Sequence, residues 1–155
     1  LITRRSPQLY YGTESLMGGT KEVTDGNVRK DFPGGWAGDA RNAFSKDGRT
    51  REEQQMFAWL SRLLHWRRDS KAVTEGSMKH FCPVNGCYVY ARQKADETVL
   101  VILNGTTKTA TLPLARFAEV IGNCRQATDV TTGRSVSLTG TLELAPRESL
   151  VLPLQ

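Results

Sequence analysis

An aspartate and an arginine four residues apart, Asp25 and Arg29, stand at the head of the run DGNVRKDFPGGWAGD, residues 25–39. A carboxylate accepts hydrogen bonds from hydroxyls, and a guanidinium donates through a fixed fork of N–H groups. Side chains of these types suit a polar ligand. The plainer reading is an exposed ion pair, worth about 0–1 kcal/mol. Asp31, Phe32 and Trp36 follow, framed by glycines and Pro33. Charged groups beside an indole face suit a polar ligand that also has an apolar side. The two histidines, His65 and His80, have no catalytic partner in view, and no Cys/His spacing resembles a zinc site.

These residues lie in a stretch, 13–49, that is rich in glycine and poor in hydrophobic periodicity. Connections between a strand and a helix usually take ~2–6 residues, and much longer ones are mostly functional or disordered. Before the stretch, Pro7–Tyr11 reads as a short strand closed by Gly12, with Pro7 at the first position, where a missing N–H is tolerated. After it comes an amphipathic helix. Thr50 and Glu53 form a capping box, Glu52 and Glu53 fall in the first turn, and Arg67 and Arg68 fall in the last. Met56, Phe57, Leu60, Leu63 and Leu64 follow the spacing of one buried face, which Trp59 and Trp66 widen. The helix is expected to end near Arg68–Ser70, with Arg62, Arg67, Arg68 and Lys71 as a solvated end.

From about Ser77 the pattern changes to short strands: 79–81, 88–92, 99–103, 108–112, 126–129, 135–138, 141–144 and 149–154. Asn85-Gly86 is a tight-turn dipeptide, and Asn104-Gly105, Gly122-Asn123, Thr132-Gly133 and Thr139-Gly140 mark further turns. Asn104-Gly105-Thr106 also matches a glycosylation sequon, which the turn explains. Successive strands without helices between them imply an antiparallel sandwich. The expected organisation is therefore residues 1–74, a strand–long loop–helix unit, then residues 75–155, a mainly β sandwich domain. One strand and one helix cannot bury their apolar faces alone, so residues 1–49 are expected to be poorly fixed without a covering partner.

The chain has 155 residues, 39% hydrophobic and 24% charged, a globular rather than disordered composition. The formal net charge of +5 is interspersed, with no basic run or nucleic-acid-binding motif, so no nucleic-acid partner is expected. No apolar run reaches the ~18 residues of a membrane span, and no signal peptide is visible. Cys82, Cys87 and Cys124 are too few for a disulfide framework. Cys82 and Cys87 flank Pro83–Gly86 and so allow a cross-turn disulfide, or else serve as small apolar residues on neighbouring strands. The opening LITRRSPQLYY reads as the interior of a longer protein.

Together these pieces resemble the α-amylase family of glycoside hydrolases. PQLYYGTE, residues 7–14, is similar to the last barrel strand of that family. RKDFPGGW, NAF, GRT, LLHWRR and HFCPVNGCYVYAR resemble its neopullulanase/cyclomaltodextrinase-type branch, and the likeness runs from about Thr3 to Leu154. Where the family has Arg-Gly-small apolar before the strand proline, this chain has Arg4, Arg5 and Ser6. The resemblance implies the eighth and last unit of a (β/α)8 barrel, whose function sits in loops at the strands' C-terminal ends, followed by the family's C-terminal β-sandwich.

It also implies an enzyme that cuts α-glucosidic bonds in starch, pullulan or cyclomaltodextrins with retention. Such enzymes need two carboxyl groups roughly 5–5.5 Å apart. The family's catalytic carboxylates lie upstream of every residue here, so no catalytic residue is expected in this chain. The Asp–Arg pair of the family's last barrel loop contacts glucose units, which assigns Asp25 and Arg29 to substrate binding. Trp36 offers either a face for sugar stacking or a shield over the barrel mouth. Tyr10 and Tyr11 read as barrel packing and Glu14 as structural. No cofactor or metal is expected within this stretch, calcium belonging to the parent enzyme if to any part, and export follows family habit. The expected partners are α-glucan and the rest of the barrel. Two rival readings are a non-catalytic carbohydrate-binding module and a purely structural domain.

Overall fold

The structure, a computed structural model, describes residues 1–3 and 6–154. Arg4 and Arg5, where the sequence departs from the family pattern, lie outside the described residues. The chain divides into two compact units: Leu1–Ser6 with Arg62–Gln155, and Pro7–Ser61.

In the first unit, strands β1 (Ser77–His80), β2 (Cys87–Lys94), β3 (Glu97–Asn104) and β8 (Ser149–Leu154) form an antiparallel sheet in the order β1-β2-β3-β8. Two smaller antiparallel pairs accompany it, β4 (Ala110–Pro113) with β7 (Thr141–Leu144) and β5 (Gln126–Thr128) with β6 (Ser135–Ser137). Side chains alternate across a strand, so Val89, Ala91, Leu100, Ile102, Leu150 and Leu152 point to one face. There they share a core with Leu112, Leu144 and Phe117. This is the antiparallel sandwich that the strand pattern implies. The opposite face is closed too: Tyr90, Val99, Val101 and Val151 are buried, and the short helix α2 (Lys71–Thr74) packs against β2 and β3. A sheet buried on both faces explains why Val99–Leu103 is one apolar run rather than an alternating one.

Local signals account for the corners. Asn85 and Gly86 both have positive φ, 50° and 74°, the backbone of a type I′ turn. Val84 and Cys87 exchange backbone hydrogen bonds of 3.1 and 2.9 Å across it. Cys82, Cys87 and Cys124 are all free thiols, and Cys82 is exposed. At the end of β3 the Asn104 amide donates to Lys108 O (2.8 Å) and Ala145 O (2.9 Å), and its oxygen accepts from Thr106 N and Oγ1. Its side chain is spent on the turn. Asp129, fully buried, accepts from Val151 N (2.9 Å), Thr132 N (2.9 Å) and the hydroxyls of Thr131 (2.7 Å) and Thr132 (2.6 Å). Burial alone would raise its pKa. The donors, led by the Thr132 hydroxyl and the Val151 amide, outweigh that and hold the carboxyl below its usual range.

Several elements depart from the sequence reading. Between β4 and β5 the chain forms a 3-10 turn, Leu114–Phe117, and a short helix α3, Ala118–Ile121, which plug the core with Leu114, Phe117, Val120 and Ile121. Phe117 meets Phe81 edge-on at 4.9 Å. Two of the arginines read as a solvated helix end are hydrogen-bonded to distant backbone: Arg62 Nη1 to Thr131 O (2.5 Å) and Arg67 Nε to Leu1 O (2.8 Å).

The second unit contains the start of helix α1 (Arg51–Asp69). Its capping box is present: Thr50 N donates to Glu53 Oε2 (2.8 Å) and Glu53 N to Thr50 Oγ1 (3.2 Å). Pro7–Tyr11, expected as a strand, is irregular, with a turn beginning at Tyr11. A strand exists through its ladder, and no other strand lies among the described residues of this unit to pair with it.

Candidate functional site

Residues 12–49 contain no strand and no α-helix, yet side chains tie them together throughout. Around residues 10–30, Tyr11 Oη donates to Lys30 O (2.9 Å), Lys30 Nζ to Gly18 O (3.2 Å), and Thr20 N to Asn27 Oδ1 (2.9 Å). A Cβ on Gly19 would stand 2.1 Å from Asn27 O, so only glycine permits that approach. The folded segment encloses a cleft of about 250 Å³ whose lining includes Tyr10, Tyr11, Thr13, Asn27 and Lys30. The two tyrosine rings lie 4.6 Å apart. Partial removal from water, then the hydrogen bond with Tyr10, pushes the Tyr11 phenol above its usual range, so it stays a donor.

Asp25 opens a 3-10 turn, Asp25–Val28, and Arg29 caps it. The turn brings Arg29 Nη2 within 3.9 Å of Asp25 Oδ2, with each side chain 64% exposed. Both groups are therefore free to turn toward a ligand. They flank the cleft in sequence, while Asn27, Val28 and Lys30 line it.

Trp36 is 67% exposed on a separate and tightly braced turn. The Asp39 carboxylate accepts from Gly34 N (2.7 Å) and Trp36 N (3.2 Å), and Gly35 N donates to Phe32 O (2.9 Å). Gly34 has φ +98°, and a Cβ there would meet Asn42 Oδ1 at 2.4 Å. Behind this turn Phe32 and Phe44 stack at 4.5 Å. Arg49 donates to Ala43 O, Phe44 O and Gln54 Oε1 while lying 3.6 Å over the Phe57 ring. Arg41 grips Glu53 through two bonds of 2.6 and 2.8 Å. Those bonds first, then the Thr50 amide, hold the Glu53 carboxyl below its usual range. The cap of α1 thus doubles as the anchor of the loop.

The three residues singled out in the sequence, Asp25, Arg29 and Trp36, are all exposed on this one unit. Among the described residues, no hydrogen bond or ring contact joins Trp36 to the Asp25–Arg29 pair. The cleft residues Tyr10, Tyr11, Asn27 and Lys30 were not singled out for binding. The sequence reading takes Tyr10 and Tyr11 as barrel packing. Among the described residues, no group of three His, Cys, Asp or Glu side chains is arranged to hold a metal.

Residues 78–153, just under half of the chain, match the family model of the cyclo-malto-dextrinase C-terminal domain. The fold is shared with solved structures. An Anoxybacillus α-amylase superimposes with a TM-score of 0.64 at 18% identity, over 94% of this chain and 28% of that one. AmyP, solved in complex with maltose, gives 0.56 at 21% identity, over 67% of this chain and 21% of that one. The α-glucosyl transfer enzyme XgtA gives 0.52 at 20% identity, over 64% of this chain and 18% of that one. The matched part of the chain thus spans between 18% and 28% of the length of these structures.

Proposed function

We propose that this chain is the C-terminal part of an α-amylase-family glycoside hydrolase acting on α-glucans, of the neopullulanase/cyclomaltodextrinase type. The match of residues 78–153 to the cyclo-malto-dextrinase C-terminal domain carries the proposal. Residues 1–74 supply the last strand–loop–helix of the barrel in this reading, and residues 75–155 supply the supporting sandwich. Pro7–Tyr11 then becomes a strand only when neighbouring barrel strands offer it a ladder. Catalysis by double displacement runs on carboxylates elsewhere in the enzyme. The substrate is an α-glucan oligosaccharide of the kind that relatives of this fold hold, maltose or maltotriose.

Within that enzyme, Asp25 and Arg29 bind sugar hydroxyls. Their exposure and their long 3.9 Å separation leave hydrogen-bonding capacity that a tight ion pair would not. Trp36 presents its face to a glucose ring.

The test starts from the full reading frame. Expressed whole, it is expected to hydrolyse α-glucans, with an Asp, a Glu and an Asp at the ends of upstream strands. Asp25→Ala and Arg29→Ala are each expected to raise KM for maltooligosaccharides about tenfold or to alter product length, with kcat less affected. Wild-type KM and product pattern in both variants would remove these residues from the substrate site. Appreciable maltotriose affinity in the isolated chain, read by calorimetry, would favour a carbohydrate-binding module instead.

A further inference from the structure

We infer that Arg92 is a built-in docking site for the backbone of Ile2 and Thr3, and that Leu1–Thr3 are a structural part of the sandwich unit. The observation is independent of the enzymatic reading above. Arg92 lies on β2, on the face opposite the main core, and is 3% exposed. A buried guanidinium is costly unless its N–H groups find acceptors. Here Nε donates to Ser77 O (3.2 Å), Nη2 to Gly76 O (2.7 Å), and Nη1 to Thr3 O (2.6 Å) and Ile2 O (3.3 Å). Gly76 is shaped for this. A Cβ there would stand 2.2 Å from Ala72 O and 2.5 Å from Gln93 O, so only glycine brings this carbonyl into place.

Leu1 O is taken by Arg67. Three consecutive carbonyls, of Leu1, Ile2 and Thr3, therefore each accept from a guanidinium N–H, and the Ile2 side chain is buried, at 5% exposure. Two guanidinium groups and an apolar seat form a slot that reads backbone, with one side chain as its key. The fork geometry requires arginine, because a lysine ammonium on the same strand cannot reach acceptors on both sides at once.

A double-mutant cycle on the full chain tests this. Deleting residues 1–3 is expected to lower Tm by about 5 °C or more in the wild-type background and by far less with Arg92→Met. In Arg92→Met the Ile2 and Thr3 amides become mobile by heteronuclear NMR relaxation while those of β3 stay rigid. An equal loss in both backgrounds, or rigid Ile2 and Thr3 amides in Arg92→Met, would overturn the assignment. Should Arg92→Met not fold, Arg92→Lys carries the same two readouts with the same opposing outcomes.

Discussion

Asp129→Asn is expected to destabilise the sandwich unit by about 3 kcal/mol at neutral pH, and the loss is expected to shrink as the solution is acidified. The carboxylate is fully buried and accepts four hydrogen bonds. Oδ2 takes three of them, from Thr131 and Thr132, and Oδ1 takes the Val151 amide on β8. An asparagine can keep its oxygen toward the threonines only by turning its NH₂ against the Val151 N–H, donor facing donor. Turned the other way, it sets its NH₂ against the Thr132 N–H and forces both threonine hydroxyls to turn and accept instead of donate. Either arrangement detaches the loop after β5 from β8.

The pH dependence follows from the direction of the shift. The folded-state pKa lies below the ordinary aspartate value, and an unfolded aspartate titrates near ~3.9. Between the two values the unfolded chain binds the proton and the folded one does not, so stability falls as pH falls. The contribution is complete above about pH 5 and is lost as pH drops through the folded-state pKa. Urea denaturation of wild type and variant at pH 7, 5, 4 and 3 should show a constant difference at the upper two values and a narrowing one below. A difference that is the same at all four would mean that the carboxylate charge is not what holds this corner.

Nothing in the sequence marked Asp129, and the reason is physical. It stands between Thr128 and Val130, in a stretch with ordinary turn composition, and its main-chain partner on β8 is 22 residues away. The features read correctly are those whose cause is local. Strand-like runs between turn signals gave β7 and β8 at their observed bounds, 141–144 and 149–154. The Asn85-Gly86 dipeptide carries its own backbone preference, and the Thr50–Glu53 cap needs only four residues. Leu114, Phe117 and Ile121 also keep a helical spacing, but the segment is two short turns long and sits among strands. Periodicity over so few residues does not separate helix from strand.

What depends on distant neighbours is not legible in a local stretch of sequence. Pro7–Tyr11 has the residues of a strand but lacks strand neighbours among the described residues, so it is irregular. Nothing local marks Ile2 and Thr3, yet their carbonyls accept from Arg92, 90 and 89 residues on. The arginines of α1 show the same limit. A guanidinium reads as solvent-facing until the fold reveals which carbonyls lie within its reach.

In residues 12–49 the Asp39 carboxylate braces the turn that presents Trp36 without any regular structure, and Gly34→Ala tests that brace. A non-glycine residue at φ +98° costs about 1–3 kcal/mol, and here the new Cβ would also stand 2.4 Å from Asn42 Oδ1 and 2.7 Å from Asn42 Cα. Relieving that overlap moves the Gly34 N–H away from Asp39 and releases the turn that presents Trp36. A loss of at least ~2 kcal/mol for this unit is expected. Trp36→Ala removes a side chain that is 67% exposed and should leave stability within about 0.5 kcal/mol. The two variants therefore separate a fixed platform from a mere surface residue. Under the proposed function, both are expected to raise KM for long maltooligosaccharides while kcat changes little, because that proposal puts the bond-breaking groups elsewhere. A Trp36→Ala enzyme with wild-type KM would make Trp36 a shield rather than a sugar platform. If Gly34→Ala alone then raised KM, the turn would act through the neighbouring loop and not through the indole.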